Sequence, residues 1–168
     1  MGETVESLSE ASVTVICLDR FQEYDWSGRL YVRSKAEACF FRSTLELFEL
    51  MEENYDKLDY PQASMNNRRF SSDAGTRQEK RETEQKSAGN FRVSRKGEQP
   101  VVLSKEDLQK KRGERATFLV RVQYRQSATW QGRATWVEKN RTSSFRSALE
   151  LLKLIDNVMT EKEHGAKA

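Results

Sequence analysis

An internal repeat is the feature that most constrains how this chain can fold. The segments that begin at Trp26 and Trp130 align without a gap over 29 positions, and 11 of these are identical. Average amino-acid usage would give about two matches by chance. A unit of this length that occurs twice predicts a pseudo-symmetric pair and not a solenoid. The identical pairs are Trp26/Trp130, Gly28/Gly132, Arg29/Arg133, Lys35/Lys139, Phe41/Phe145, Arg42/Arg146, Ser43/Ser147, Leu45/Leu149, Glu46/Glu150, Leu47/Leu151 and Leu50/Leu154.

Each copy predicts three strands followed by one helix. In the second copy, "ATFLVRVQY" and "WQGRATWV" alternate with the period of a strand, and "RTSSF" is a short third strand. The alternation puts Tyr124 on the side that carries Val120 and Val122. A capping box then starts the helix, with Ser147 accepting from the N3 amide and Glu150 reaching back to the cap amide. The first copy has the same Ser-x-x-Glu spacing.

The predicted fold class is α+β. It consists of two tandem, pseudo-symmetric β-β-β-α repeats, antiparallel sheets each covered by a helix, joined by a long flexible linker. Because one three-stranded unit is marginal alone, the copies are expected to pack helix on helix or as one extended sheet. The predicted boundaries are a polar tail at 1–11, the first repeat at 12–57, a basic and largely disordered linker at 58–115, the second repeat at 116–160, and a disordered tail at 161–168.

Most of the net positive charge belongs to the linker. Residues 62–115 hold 14 Lys and Arg against 8 Asp and Glu, a net charge of +6, whereas the whole chain carries +3. Such a segment is either a tolerated tether or a basic arm that orders on phosphate or on an acidic partner. Within it, Ser104 and Asp107 predict the start of a short helix. The linker residues predicted to bind are Arg68, Arg69, Lys110, Lys111 and Arg112.

The repeated W-x-G and FRSxLEL segments resemble those of short, uncharacterised bacterial proteins. This resemblance covers both copies and implies no function. The β-β-β-α order is also similar to part of the double-stranded-RNA-binding fold and of HicB-type antitoxin folds. That similarity is topological, and topology alone does not imply function.

Polar side chains are predicted to share the sheet face that the helices leave uncovered. An open platform of arginine and tyrosine can grip phosphate and stack bases, but it can equally be an ordinary solvated sheet face. The residues predicted to form this face are Arg29, Tyr31, Arg33, Arg121, Gln123, Arg125 and Arg133.

The first strand of the first copy differs from this pattern, because Val13, Val15 and Cys17 fall on the same outer face. An apolar row there has to be covered. The cover is expected to be the other repeat, a second chain or a target protein, and these three residues are therefore a predicted apolar interface.

Catalytic chemistry has little support in the sequence. The single histidine, His164, lies in the charged tail "EKEHGAKA", and no nucleophile–base set, metal cluster or phosphate-binding glycine motif is present. Cys17 and Cys39 are expected to behave as small hydrophobic residues. We expect no cofactor and no metal.

The composition predicts a cytoplasmic binding protein. No apolar run approaches the roughly 18 residues of a membrane span, and the polar, acidic start lacks a signal-peptide pattern. We expect a small regulatory or adaptor module with a protein partner, or alternatively with nucleic acid, and no membrane association. Two further alternatives remain: an inhibitor of a nucleic-acid-handling enzyme from a mobile element or phage, and an enzyme with an unrecognised site.

Overall fold

Six strands and three helices form the part of the chain described by the computed structural model, which covers residues 12–23, 25–61, 103–125 and 129–165, with backbone alone for 162–165. A short 3-10 turn at Val137–Lys139 precedes the last strand. In chain order the elements are β1 (Val13–Gln22), β2 (Asp25–Val32), β3 (Cys39–Phe41), α1 (Thr44–Leu58), α2 (Lys105–Lys110), β4 (Ala116–Tyr124), β5 (Gln131–Trp136), β6 (Arg141–Phe145) and α3 (Ala148–Gly165).

All six strands belong to one antiparallel sheet of order β3-β2-β1-β4-β5-β6. The two first strands meet at its centre, where Val15 lies opposite Leu119. The α+β class is confirmed. Of the two arrangements expected from the sequence, helix-on-helix packing of separate sheets or one extended sheet, the structure has the single extended sheet. Joining β1 to β4 removes two exposed strand edges, which would otherwise present unpaired backbone groups.

The main hydrophobic core lies between one face of this sheet and helices α1 and α3. We call this the inner face. Trp26 and Trp130 are both buried in it. The ring of Trp130 lies 5.3 Å from that of Phe48 and 5.6 Å from that of Tyr55. Helix α1 therefore packs against the second half of the sheet, and the two halves share a single core.

Both long helices begin at a serine that follows a short strand. The hydroxyl of Ser43 accepts from the amide of Glu46 at 3.1 Å, and the hydroxyl of Ser147 accepts from the amide of Glu150 at 3.1 Å. The hydrogen bond of the glutamate carboxylate in each capping box differs from the prediction. Each carboxylate accepts from the amide of the residue before the cap, at 2.8 and 2.7 Å. The glutamate thus satisfies a donor one residue further upstream than in the usual capping box.

The first strand of each half carries a β-bulge at the same point. The pairing of β1 with β2 skips Asp19, and the pairing of β4 with β5 skips Gln123. A glycine lies on the strand that faces each bulge. A Cβ atom at Gly28 or at Gly132 would lie 2.0 Å from a backbone carbonyl oxygen of the neighbouring strand. Glycine is therefore required here because the two backbones approach too closely for any side chain.

The ends of the predicted segments differ from the structure at two places. Helix α2 lies in residues 103–115, which fall in the predicted linker. It confirms the helix expected from Ser104 and Asp107, because the Ser104 hydroxyl accepts from the Asp107 amide at 3.0 Å. Helix α3 continues to Gly165, inside the predicted tail. Within the described ranges, no helix is both long and apolar enough to cross a bilayer.

Candidate functional site

Helix α2 covers the outer face of the sheet in the first half of the chain. Its Leu108 is 2% exposed and packs with Val15, Cys17 and Tyr31 in a small second core. Burial raises the pKa of the Cys17 thiol to about 11, although the charge of Arg29 opposes this. The predicted apolar interface at Val13, Val15 and Cys17 is thus not open, because all three residues are buried and α2 packs on two of them, Val15 and Cys17.

An ion pair fastens the end of the α2 segment to the same face. The carboxylate of Asp19 receives two hydrogen bonds from Arg29, at 2.8 and 2.9 Å, and one from the Glu114 amide at 3.1 Å. Arg29 also donates to the carbonyl of Arg112 at 3.0 Å. Burial alone would raise the pKa of Asp19, but these hydrogen bonds outweigh it and hold that pKa below its ordinary value. Arg29, predicted to bind a partner, is therefore engaged within the chain.

Other predicted residues of the first half also hold α2 in place. Arg33 donates to the Leu103 carbonyl at 3.2 Å, and the ammonium group of Lys111 lies 4.8 Å from the centre of the Tyr31 ring. The side chain of Lys110 is exposed, and its ammonium nitrogen lies 3.7 Å from Oδ1 of Asp107. Arg112 donates to carbonyl groups of its own segment. Two predicted linker residues, Arg68 and Arg69, lie outside the described residues.

The bulge in β4 reverses the predicted directions of the two side chains that follow it, Tyr124 and Arg125. Arg125 points to the inner face, where it is 3% exposed and donates to Asp56 and to the carbonyl of Pro61, both at 2.7 Å. Arg125 therefore ties β4 to the end of α1 and is not part of the outer face. Tyr124 takes the outward position instead, opposite Gln131, and is 58% exposed.

The outer face of the second half is open and positively charged. Arg121 and Arg133 lie directly opposite each other on β4 and β5, and neither makes a hydrogen bond or ion pair with any other described residue. Two like charges in this position cost about 0.2–1 kcal/mol. Thr117 is fully buried, and its hydroxyl accepts from the Gly113 amide. The other outward strand positions of β4, β5 and β6 carry no carboxylate and are Leu119, Arg121, Tyr124, Gln131, Arg133, Thr135, Thr142 and Ser144. We call these residues the arginine face.

A groove of about 540 Å³ runs along the edge of this face beside α2. Its floor contains the partly buried Leu119 and Val137, and Gln109 and Asn140 line it as well. The hydroxyls of Thr135 and Thr142, also in the lining, lie 2.8 Å apart and hydrogen-bond to each other. The groove thus combines an apolar floor with several polar groups, which is the usual composition of a ligand site.

The sequence patterns did not identify Tyr124 or the groove residues as site residues, for two separate reasons. Strict alternation points Tyr124 inwards, and only the bulge moves it out. The glycine at 132 in a strand interior was the available signal, since such a glycine often marks a bulge. The groove exists only because α2 lies across β1, and no local pattern predicts where a six-residue helix will dock.

Among the residues that the structure describes, no three side chains of His, Cys, Asp or Glu come together as a metal site. The side chain of His164 is not among those described. Comparisons of this chain with protein-family models, with curated proteins and with solved structures find no match. The candidate site therefore rests on the geometry and charge of its own residues.

Proposed function

We propose that this protein is a non-enzymatic binding module that binds nucleic acid on the arginine face. One comparison between the two halves carries the proposal. Arg29 and Arg133 occupy the same position in the aligned segments, and the bulge residue beside them is Asp19 in the first half and Gln123 in the second. Arg29 is neutralised by Asp19, whereas no carboxylate in the described part of the chain forms an ion pair with Arg133.

The chemistry of the face fits a phosphate backbone with accessible bases. A guanidinium group binds phosphate through two parallel hydrogen bonds, and arginine is the residue most suited to this. Tyr124 offers an exposed aromatic ring on the same face, and stacking of one base on such a ring contributes roughly 1–3 kcal/mol. An acidic protein surface would use the two arginines but would leave this ring without a role.

The proposal includes the origin of the two halves. We infer that they are two tandem copies of one β-β-β-α unit joined by a basic linker, and that they have since specialised. The identical capping serines and the bulges at equivalent points support this. The first copy holds α2 on its outer face, and the second presents that face to a partner. We place this activity in the cytoplasm.

Charge reversal on the arginine face tests the proposal. Fluorescence anisotropy with a labelled mixed-sequence oligonucleotide would compare the wild type with Arg121→Glu and Arg133→Glu. We expect each reversal to weaken binding about tenfold or more and to reduce its salt dependence, because one phosphate contact is lost. Lys153→Glu, an exposed position on α3, makes the same charge change away from the face and should have little effect.

Two results would contradict the proposal. One is the absence of oligonucleotide binding by the wild type at low salt. The other is equal weakening by Lys153→Glu and by the face variants, which would indicate attraction by net charge alone. If polyglutamate competes as well as the oligonucleotide does, an acidic protein becomes the better candidate partner.

A further inference from the structure

The groove beside α2 adjoins a second, smaller cavity, and the two share three lining residues. The smaller cavity, of about 40 Å³, contains Arg121 and Arg33. Lys105, Leu108 and Leu119 line both spaces. Arg121 and Lys105 therefore lie next to a groove with an apolar floor, around a small cavity whose walls are mainly apolar.

This arrangement matches the two parts of a nucleotide. The volume of the groove, about 540 Å³, falls within the range of sites that hold small organic ligands, roughly 300–1,000 Å³. Its floor at Leu119 and Val137 can contact the flat face of a base. Gln109 and Asn140 carry amide groups that can both donate to and accept from a base edge. The side chains of Arg121 and Lys105, beside the groove, can pair with the phosphate.

A base inside a duplex cannot make these contacts. Its faces are stacked on its neighbours, and its pairing edge is hydrogen-bonded to the opposite strand. A base has to be unpaired to place its face on an apolar floor and its edge against side-chain amides, as occurs in proteins that read single strands. The groove is therefore suited to a single strand, whereas the arginines of the open face alone would bind the backbone of either form.

We propose that the groove between α2 and the arginine face receives an unpaired base, and that this makes binding selective for single-stranded nucleic acid. The inference rests on the proposed function. In the bound state, Arg121 and Lys105 contact the phosphate next to the inserted base. Helix α2 then has two roles, since it closes the first half of the sheet and forms one wall of the site in the second.

Two variants that leave every arginine in place test this inference. Gln109→Trp puts a large side chain at the wall of the groove. Asn140→Gly removes an amide at a position whose φ of 49° glycine adopts without strain. Affinities would be measured for a mixed-sequence single strand and for its duplex. We expect the wild type to prefer the single strand by about tenfold or more, consistent with the value of one base contact. Both variants should lose most of that preference, while their duplex affinity stays unchanged.

The outcomes separate this inference from the function on which it rests. Equal affinity of the wild type for both forms, or a preference that survives both variants, would overturn the base-insertion model and leave nucleic-acid binding intact. Binding to neither form would overturn the proposed function itself. Lys110→Trp, on the exposed side of the same helix, controls for a general effect of adding an aromatic residue to α2.

Discussion

Asp19 and Gln123 are the extra residues of the two β-bulges, and this difference decides whether the arginine beside each bulge, Arg29 or Arg133, has a carboxylate partner. Asp19 binds Arg29 at 2.8 Å and holds the segment after α2 against the sheet. Gln123 carries no charge, so Arg133 and its opposite neighbour Arg121 remain uncompensated among the described residues. The same backbone arrangement thus makes a closed structural face in one half and an open cationic face in the other.

Replacing Gln123 with aspartate should give the second half the ion pair of the first. We expect Gln123→Asp to weaken oligonucleotide binding by roughly tenfold, because the new carboxylate neutralises Arg133 and repels phosphate. The free energy of unfolding should rise by no more than about 1 kcal/mol, as is usual for a surface pair. Gln123→Asn is the matched control and should retain wild-type affinity. Similar losses in both variants would show that the amide matters and the charge does not.

Asp19 should contribute stability that depends on pH. Its pKa is lower in the folded chain than its ordinary value, so this contribution is complete above about pH 4 and disappears as the pH falls through the folded-state pKa. Asp19→Asn should lower the free energy of unfolding at neutral pH by about 1–3 kcal/mol, since Arg29 loses a charged partner. Chemical denaturation at several pH values would measure this.

The difference between wild type and Asp19→Asn should then shrink in acid. Asp25, whose pKa is also held below its ordinary value, remains in both proteins, so the variant keeps that part of the acid dependence. Burial opposes this lowering at Asp25, and hydrogen bonds from Thr44 outweigh it. A gap between the two proteins that stays constant down to about pH 2 would contradict an electrostatic role for Asp19.

Leu108 should be the main attachment of α2 to the sheet, because it is the buried side chain of that helix. We expect Leu108→Ala to destabilise this segment by about 2 kcal/mol, at the low end for a buried leucine, since the second core is small. The buried Cys17 thiol then becomes accessible. Alkylation of Cys17 in a Cys39→Ser background should accelerate strongly in this variant and not in Lys110→Ala. An unchanged rate would mean that another contact holds α2 in place.

Arg125 should matter for stability and not for binding. Arg125→Met removes hydrogen bonds to Asp56 and Pro61. It should cost about 1–3 kcal/mol of unfolding free energy, because the buried Pro61 carbonyl loses its donor. The cost is not larger, because the exposed Asp56 carboxylate can be solvated after the loss. Oligonucleotide affinity should remain at the wild-type value. Arg133→Met is the complementary variant and should reduce affinity while leaving the thermal midpoint nearly unchanged. The opposite pattern would place the binding face on the wrong side of the sheet.

Much of the fold could be predicted from local patterns. The strands follow from period-two alternation, and the long helices follow from a serine cap and an apolar stripe. These signals depend on residues a few positions apart, which is why the element order and the capping serines at 43 and 147 could be read directly. The charge of the candidate site was also visible, since Arg121 and Arg133 fall on one face by simple parity.

The rest depended on contacts between distant parts of the chain. The sequence by itself determined the strands, the long helices and their caps, because the periodicity and the capping residues that specify them lie close together in the chain. Only the tertiary structure decided that β1 pairs with β4, that a bulge exchanges Tyr124 and Arg125 between faces, and that Leu108 covers Val15 and Cys17. Each of these outcomes depends on segments that are far apart in the chain, which pair their backbone groups and bury apolar surface against each other. Such long-range packing leaves no periodic pattern in the sequence.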